Sequence, residues 1–418
     1  MRELRQVQLS DLADVTMGQS PSSAHCGTEQ RGLPFLQGSA EFGRRNPLTS
    51  IHCSLPQRIG KAGSVLISVR APVGSMNYAD QDFCIGRGLG AFKAKPGVSD
   101  TIFLRHAVEH NVSFLHRRSQ GSTFAAISSQ DLRSLPVPIF HVRTQHRLAA
   151  VFANLEQAIE KTEALIAKYQ HIKAGLMHDL FTRGVLPNGQ LRPPREQAPE
   201  LYRETATGWI PKEWQYELLD KLATRGSGHT PNKGIAKFWN GGIKWVSLAD
   251  SYRLDQLYIS ATDLEISLEG IQNSSAVLHP AGIVVLSRDA GVGKSAITTV
   301  PMAVSPHFIC WRCDGKIDNL FLYYWLQNNK PMFENIAMGS TILTIGLPYF
   351  KRLKVACPVE APEQRAIAGR LRVMDTHLGA LAEDLDKKRK QKAGLMQDLL
   401  TGKVQVTLPN SKLAASHA

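Results

Sequence analysis

The segment KAGLMHDLFTRGV, Lys173 to Val185, returns 219 positions later as KAGLMQDLLTGKV, Lys392 to Val404. A near-identity at that separation marks an internal repeat, so the chain must build one scaffold twice. The match extends upstream. GSTFAAISSQDLRSLPVP from Gly121 parallels GSTILTIGLPYFKRLKVACP from Gly339, and TQHRLA around Arg147 parallels EQRAIA around Arg365, both 218 apart. Near the start of each copy, LSDLADVTMGQSP ending at Pro21 parallels LLDKLATRGSGHTP ending at Pro231, 210 apart. The drift in offset means that the second copy carries about eight extra residues, which loops on a shared scaffold absorb.

Each copy has two parts of different character. The first is rich in Gly, Pro, Ser and β-branched residues, with short alternating runs such as SVLISV and IVVLS, and reads as a mixed, strand-rich globular domain. The second has almost no Gly or Pro and carries an apolar stripe. In one copy Leu148, Val151, Phe152, Leu155, Ile159, Leu165, Ile166, Tyr169, Ile172 and Leu176 fall at three- and four-residue steps; in the other Ile367, Leu371, Met374, Leu378, Leu381 and Leu385 keep a heptad that Lys388 and Lys392 interrupt before Leu395 and Leu399. Two helices with such seams are expected to pair as an antiparallel coiled coil. At 1.5 Å per residue they make rods of roughly 57 Å, too long to cover a single domain of this size. The expected organisation is therefore α+β: globular domains at 1–143 and 215–361 in pseudo-twofold tandem repeat, long helices at 144–185 and 362–405, a proline-rich linker and return segment at 186–214, and a tail at 406–418.

A chain of 418 residues with net charge +13 leaves nucleic acid, an anionic membrane and an acidic protein open as partners. The excess is +5 over 1–140, +2 over 141–214, +3 over 215–355 and +3 over 356–418, spread along the body as a long polyanion surface would require. The N-terminus lacks the apolar core of a signal peptide and no run approaches eighteen apolar residues, so a cytoplasmic protein is expected. The six cysteines form no disulfide framework; Cys310 and Cys313 make a lone CxxC, for which a buried strand is the simpler reading than zinc or redox chemistry.

The stretch SRDAGVGKS, Ser287 to Ser295, resembles a phosphate-binding loop, but the position that needs its first glycine holds Arg288. The repeat aligns it with SVRAPVGS from Ser68, where Ser75 replaces Lys294. A structural turn and a DNA-facing loop carrying Arg70, Arg288 and Lys294 both stay open. There is no nucleophile elbow, no HExxH, no GxGxxG after a strand and no methyltransferase tetrapeptide, so no catalytic residues and no metal ligands are assigned.

Two variable globular parts, each followed by a nearly identical helix, resemble the specificity subunit of type I restriction-modification systems. The resemblance rests on the duplicated KAGLM-x-DL helix ends, the paired GST segments, GWIPKEW from Gly208 and EQRAIA, and covers essentially the whole chain. It implies that each globular part is a target recognition domain reading one half of a split sequence in double-stranded DNA, with the helices as a spacer. It also implies docking of two modification (methyltransferase) subunits, with a restriction (translocase/nuclease) subunit as an optional further partner and no membrane partner. Cofactors are expected only in those partners: S-adenosylmethionine, and ATP with Mg. A coiled-coil scaffold without DNA reading is the rival, as is a self-contained restriction enzyme, whose motifs the chain lacks.

Candidate DNA contacts are the polar and basic residues of glycine-rich loops: Gln19, Ser20, Arg44, Arg45, Arg70, Arg117 and Arg118 in the first domain, and Arg225, His229, Lys233, Lys237, Lys244, Arg288 and Lys294 in the second. Ser122, Thr123, Ser340 and Thr341 offer hydroxyls to phosphate, to a partner or to a local turn. Lys173, Asp179, Lys392 and Asp398 recur at the helix ends and suit either a surface that meets one partner twice or capping and charge pairing.

Overall fold

In the computed structural model of the chain, which describes residues 4–119, 126–338 and 343–404, two compact units are present: Met1–Ala164 with Ala382–Ala418, and Leu165–Leu381. Each is a globular domain plus part of both long helices.

In the first unit four antiparallel strands lie in the order Ala13–Met17, Leu89–Ala94, Val65–Ser68 and Met76–Tyr78. Side chains alternate across a strand. Val65 and Ile67 enter one core with Phe92, Phe103 and Phe152, while Leu66 enters another with Leu36, Phe83 and Ile85. The run SVLISV, which reads as alternating, is instead buried throughout, its two serines included, because both faces of its strand are covered. The second unit repeats the device with Thr224–Ser227, Phe308–Arg312, Val284–Ser287 and Ser295–Thr298; Val284 and Leu286 face one core, Ile283 and Val285 the other. A second sheet differs between the copies. It has five short strands over Cys26–Ile85 in the first domain and three, Glu265–Ile266, Trp239–Val246 and Met302–Val304, in the second.

Equivalent short helices flank these sheets. Thr101–His110 is capped by Asp100, whose carboxylate accepts from the Phe103 amide, and Asn319–Asn328 by Asp318, which accepts from the Leu320 and Phe321 amides. Such caps contribute about 1 kcal/mol each.

The central helix runs Val142–Arg183 and the C-terminal helix Ala361–Leu400. Each stops just before a left-handed glycine, Gly184 (φ 65°) and Gly402 (φ 74°). Glycine carries no Cβ to oppose that turn, which explains ends slightly earlier than 185 and 405. Within the first unit Glu156 pairs with Lys392 and Thr162 with Lys388, so numbers rise on one helix as they fall on the other. Within the second, Lys173 pairs with Asp375 and the Tyr169 ring meets His377. Both pairings are antiparallel.

A strict heptad of buried and half-buried positions, 148, 152, 155, 159, 162, 166, 169, 173, 176 and 180, runs along the central helix and recurs 219 positions later in the other helix. Sequence periodicity alone places Val151, Leu165 and Ile172 in the stripe, but they are 42%, 37% and 43% exposed. Their places in the seam belong to Thr162 and Lys173, polar residues that an apolar count passes over.

The 186–214 segment, read from its prolines as a linker, is folded. Tyr202–Thr205 and Gly208–Pro211 form a hairpin. Ahead of it the buried Arg192 reaches Glu363 at 2.5 Å and Glu213 at 2.6 Å. Glu363, in the first turn of the C-terminal helix, also accepts from the Val185 amide and the Trp214 indole. Both terminal nitrogens of Arg192, the amide and the indole thus converge on one carboxylate, which is what a half-buried charge needs to be tolerated.

Candidate nucleic-acid interface

The GVGKS loop closes on itself. The Ser287 amide donates to the Lys294 carbonyl, Gly293 to Ser287 and Lys294 to Gly291. In the first domain Ser68 donates to Ser75 and Gly74 to Ser68, and both serine hydroxyls donate two residues onward at 2.6 Å, to Arg70 and Asp289. Amides used this way cannot cradle a phosphate, and the loop leads into the strand Ser295–Thr298 rather than into a helix. It is a hairpin turn built twice. Arg288 donates to the carbonyls of Pro306 and Ile345, and Lys294 to the Ser251 carbonyl and hydroxyl, so both cations are held by the fold.

Past the strands Ala13–Met17 and Thr224–Ser227 the chain makes a contact that only glycine permits. A Cβ on Gly18 would stand 2.2 Å from the Gly86 carbonyl oxygen, and one on Gly228 1.9 Å from that of Val304. These contacts place Gln19 and Ser20 in the first domain, and His229 in the second, on exposed loops at equivalent positions. In the first domain an open trough of about 580 Å³ is lined by Gln37, Arg70 and Arg87. A depression of about 370 Å³ lined by Ser20, Cys26 and Gln37 adjoins it. Arg87 was not among the sequence candidates. Its repeat counterpart, 219 positions on, is Pro306, so the repeat gives no signal for it.

The other candidates divide by their partners. Arg44 donates to the Glu160 carbonyl and to Glu163 on the central helix, Arg45 lies over the Tyr78 ring, Arg118 over the Phe114 ring, and Arg117 donates to Ser113. In the second domain Arg225 pairs with Asp220, Lys237 with Glu269 and Lys244 with Glu265, while His229 and Lys233 are exposed. Ser122, Thr123, Ser340 and Thr341 lie outside the described residues.

The recurring helix-end lysines sit within the molecule. Lys392 reaches Glu156 at 2.8 Å and Glu109 at 2.9 Å; Arg105 joins both carboxylates. In the other copy Lys173 reaches Asp375, which also accepts from the Tyr324 hydroxyl. Glu156 and Asp375 are themselves 219 apart, so one lysine–carboxylate lock is used twice. Burial raises the Glu109 carboxyl, but the His106 ring 3.4 Å away and the Lys392 and Arg105 charges outweigh it and hold the group at about 2. Burial next to Asp375 pushes the Tyr324 hydroxyl far up. His106, Glu109 and Glu156 bring possible ligand atoms within 4.8 Å, yet an ammonium and a guanidinium already fill the place of a metal cation. Asp179 pairs with Arg183 and Asp398 with Lys403, within their own helix ends.

A residue type that sequence reasoning passed over ties helices to domains. Gln145 and Gln364, 219 apart, are fully buried at the helix starts. Gln145 accepts from the Ser99 hydroxyl and the Asp100 amide and donates to Phe140; Gln364 accepts from the Asp318 amide and donates to Lys316 and Pro358. The shared glutamine in TQHR and EQR was the available signal. Of the CxxC pair, Cys310 is buried in its strand beside His279, and burial pushes both thiols up to about 12.

No helix among the described residues is long and apolar enough to cross a membrane. Comparison with known proteins gives a consistent picture. The chain is 33% identical to the putative type I restriction enzyme MjaX specificity subunit of Methanocaldococcus jannaschii over 40% of each chain. It is 21% identical to the MjaVIII specificity subunit of the same organism, over 75% of this chain and 72% of the relative. Its fold matches the crystal structure of the type I restriction-modification S subunit from M. genitalium (TM-score 0.60, 15% identity, 96% of both chains). It also matches a chain from a study of complex assembly and conformational transition of the type I R-M system (TM-score 0.57, 14% identity, 97% and 99% of the chains). The model of the type I restriction modification DNA specificity domain matches twice, over residues 1–168 and 211–388, and the chain belongs to that family.

Proposed function

We propose that this chain is the DNA-reading subunit of a type I restriction-modification complex, that each globular domain reads one half of a bipartite target, and that the paired helices set the spacing between halves. The observation that carries the reading is the repetition itself. Hairpin turn, glycine contact, capped helix, buried glutamine and lysine lock occur twice, whereas the second sheets and the polar loops differ. A constant scaffold suits two identical protein partners; divergent loops suit two unlike half-sites, which need not be palindromic. The partners are then double-stranded DNA and two methyltransferase subunits, with a restriction subunit optional. S-adenosylmethionine, and ATP with Mg, act in those partners, and this chain catalyses nothing.

Loops that converge at the trough around Gln37, Arg70 and Arg87 supply cations and amides for phosphate and base edges. The test is methylation mapping in cells that express the chain with its partner subunits. Two short specified blocks around a fixed unspecified spacer support the reading, and a contiguous motif overturns it.

A further inference from the structure

Three of the six cysteines, far apart in sequence, meet in the second sheet of the first domain. Cys26 and Cys53 are directly opposed on neighbouring antiparallel strands, and Cys53 lies near enough to Cys26 and to Cys84 to raise both thiols. Opposed residues of antiparallel strands have Cα atoms about 4.5–5.5 Å apart, inside the range that a disulfide spans. Access is graded. Cys26 is half-exposed at the wall of the depression that also holds Ser20 and Gln37, whereas Cys53 and Cys84 are fully buried. Of these three thiols an oxidant in solution can therefore reach Cys26 alone, and Cys53 is the thiol opposed to it.

We propose that Cys26 and Cys53 form a reversible cross-strand disulfide by exchange with a low-molecular-weight disulfide. The Cys26 thiolate attacks the small disulfide and expels one thiolate, leaving a mixed disulfide. The Cys53 sulfur, after losing its proton to solvent, attacks the Cys26 sulfur and expels the second small thiol. Two protein thiols are oxidised and one small disulfide is reduced to two thiols. Burial and the neighbouring Cys53 raise the Cys26 thiol, so the entry step quickens with pH, about tenfold per unit below its pKa. Burial drives Cys84 up to about 12 and keeps it a neutral thiol behind Cys53. The link pins the strand Cys26–Gly27, which walls the depression, and the inference stands independently of the DNA-reading proposal.

The full chain is incubated with oxidised glutathione at pH 8, then denatured, its thiols counted and its peptides mapped by mass spectrometry. The expected result is a fall from six titratable thiols to four, a linked peptide joining Cys26 to Cys53, and full reversal by dithiothreitol. Cys84→Ser leaves the link intact, and Cys53→Ser stops the reaction at a glutathione adduct on Cys26. A stable adduct on Cys26 in the unaltered chain, a link through Cys84, retention of all six thiols, or uptake of added zinc by the three cysteines overturns the proposal.

Discussion

Replacing Lys392 with methionine keeps most of the stem and removes the ammonium from a site where its side chain is only 14% exposed. Glu156 and Glu109 then share Arg105 as their remaining full cation. Breaking a buried pair costs about 3–5 kcal/mol, and the partial exposure of Glu109 lowers the expectation to about 2–3 kcal/mol. The pH dependence has a definite sign. Glu109 is held at about 2 against an ordinary 4.5, so the stabilisation it brings is complete above pH 4.5 and is lost as pH falls toward 2. The penalty of the substitution is thus largest near neutrality and shrinks on acidification. Hydrogen exchange over the Thr101–His110 helix, which carries Arg105 and Glu109, reads the effect locally and avoids a two-state assumption for a chain with two units. Lys390→Met, which removes an exposed lysine paired only to Asp386, is the control and leaves exchange unchanged. Unchanged protection in Lys392→Met at pH 7, or a difference that grows on acidification, refutes the reasoning.

Three further outcomes follow from the described contacts. Gln364→Leu leaves the Asp318 amide and the Lys316 and Pro358 carbonyls without their partner and costs about 1–3 kcal/mol, read as a lower Tm of the full chain. Arg87→Ala weakens DNA binding by the assembled complex and reduces the slope of log affinity against log salt by about 1 if Arg87 meets a phosphate; an unchanged slope places the trough off the DNA. Lys294→Ala leaves ATP turnover by the complex at saturating DNA unchanged and, because its ammonium is held by Ser251, alters DNA affinity less than Arg87→Ala does.

The repeat makes much of the scaffold legible in the sequence itself. Two domains, two helices and their antiparallel pairing follow from KAGLM-x-DL and the heptads, because regular apolar spacing and duplicated length are local properties of a sequence. Thr162 and Lys173 escaped that reading, since a seam position filled by a polar residue is recognised only from what lies across it. The same limit hid Arg192 and Glu363, whose partners are remote in the chain, and made a folded segment look like a tether. Arg87 and the three thiols fall in the part of the copies that diverged, where the repeat gives no second example. The GVGKS stretch shows the converse. Its counterpart beginning SVRAPVGS already pointed to a turn, and the matching amide bonds account for both.

The first unit is discontinuous. Its core joins Phe103 and Phe152 to Met396 and Leu400, which leave the ribosome long after them. During translation the N-terminal domain therefore waits, with that apolar face uncovered, until the last helix arrives. A chain cut short before residue 382 loses the cover of its first domain as well as its own end. Truncation there is thus expected to expose apolar core far ahead of the cut, the kind of surface on which chaperones and proteases act.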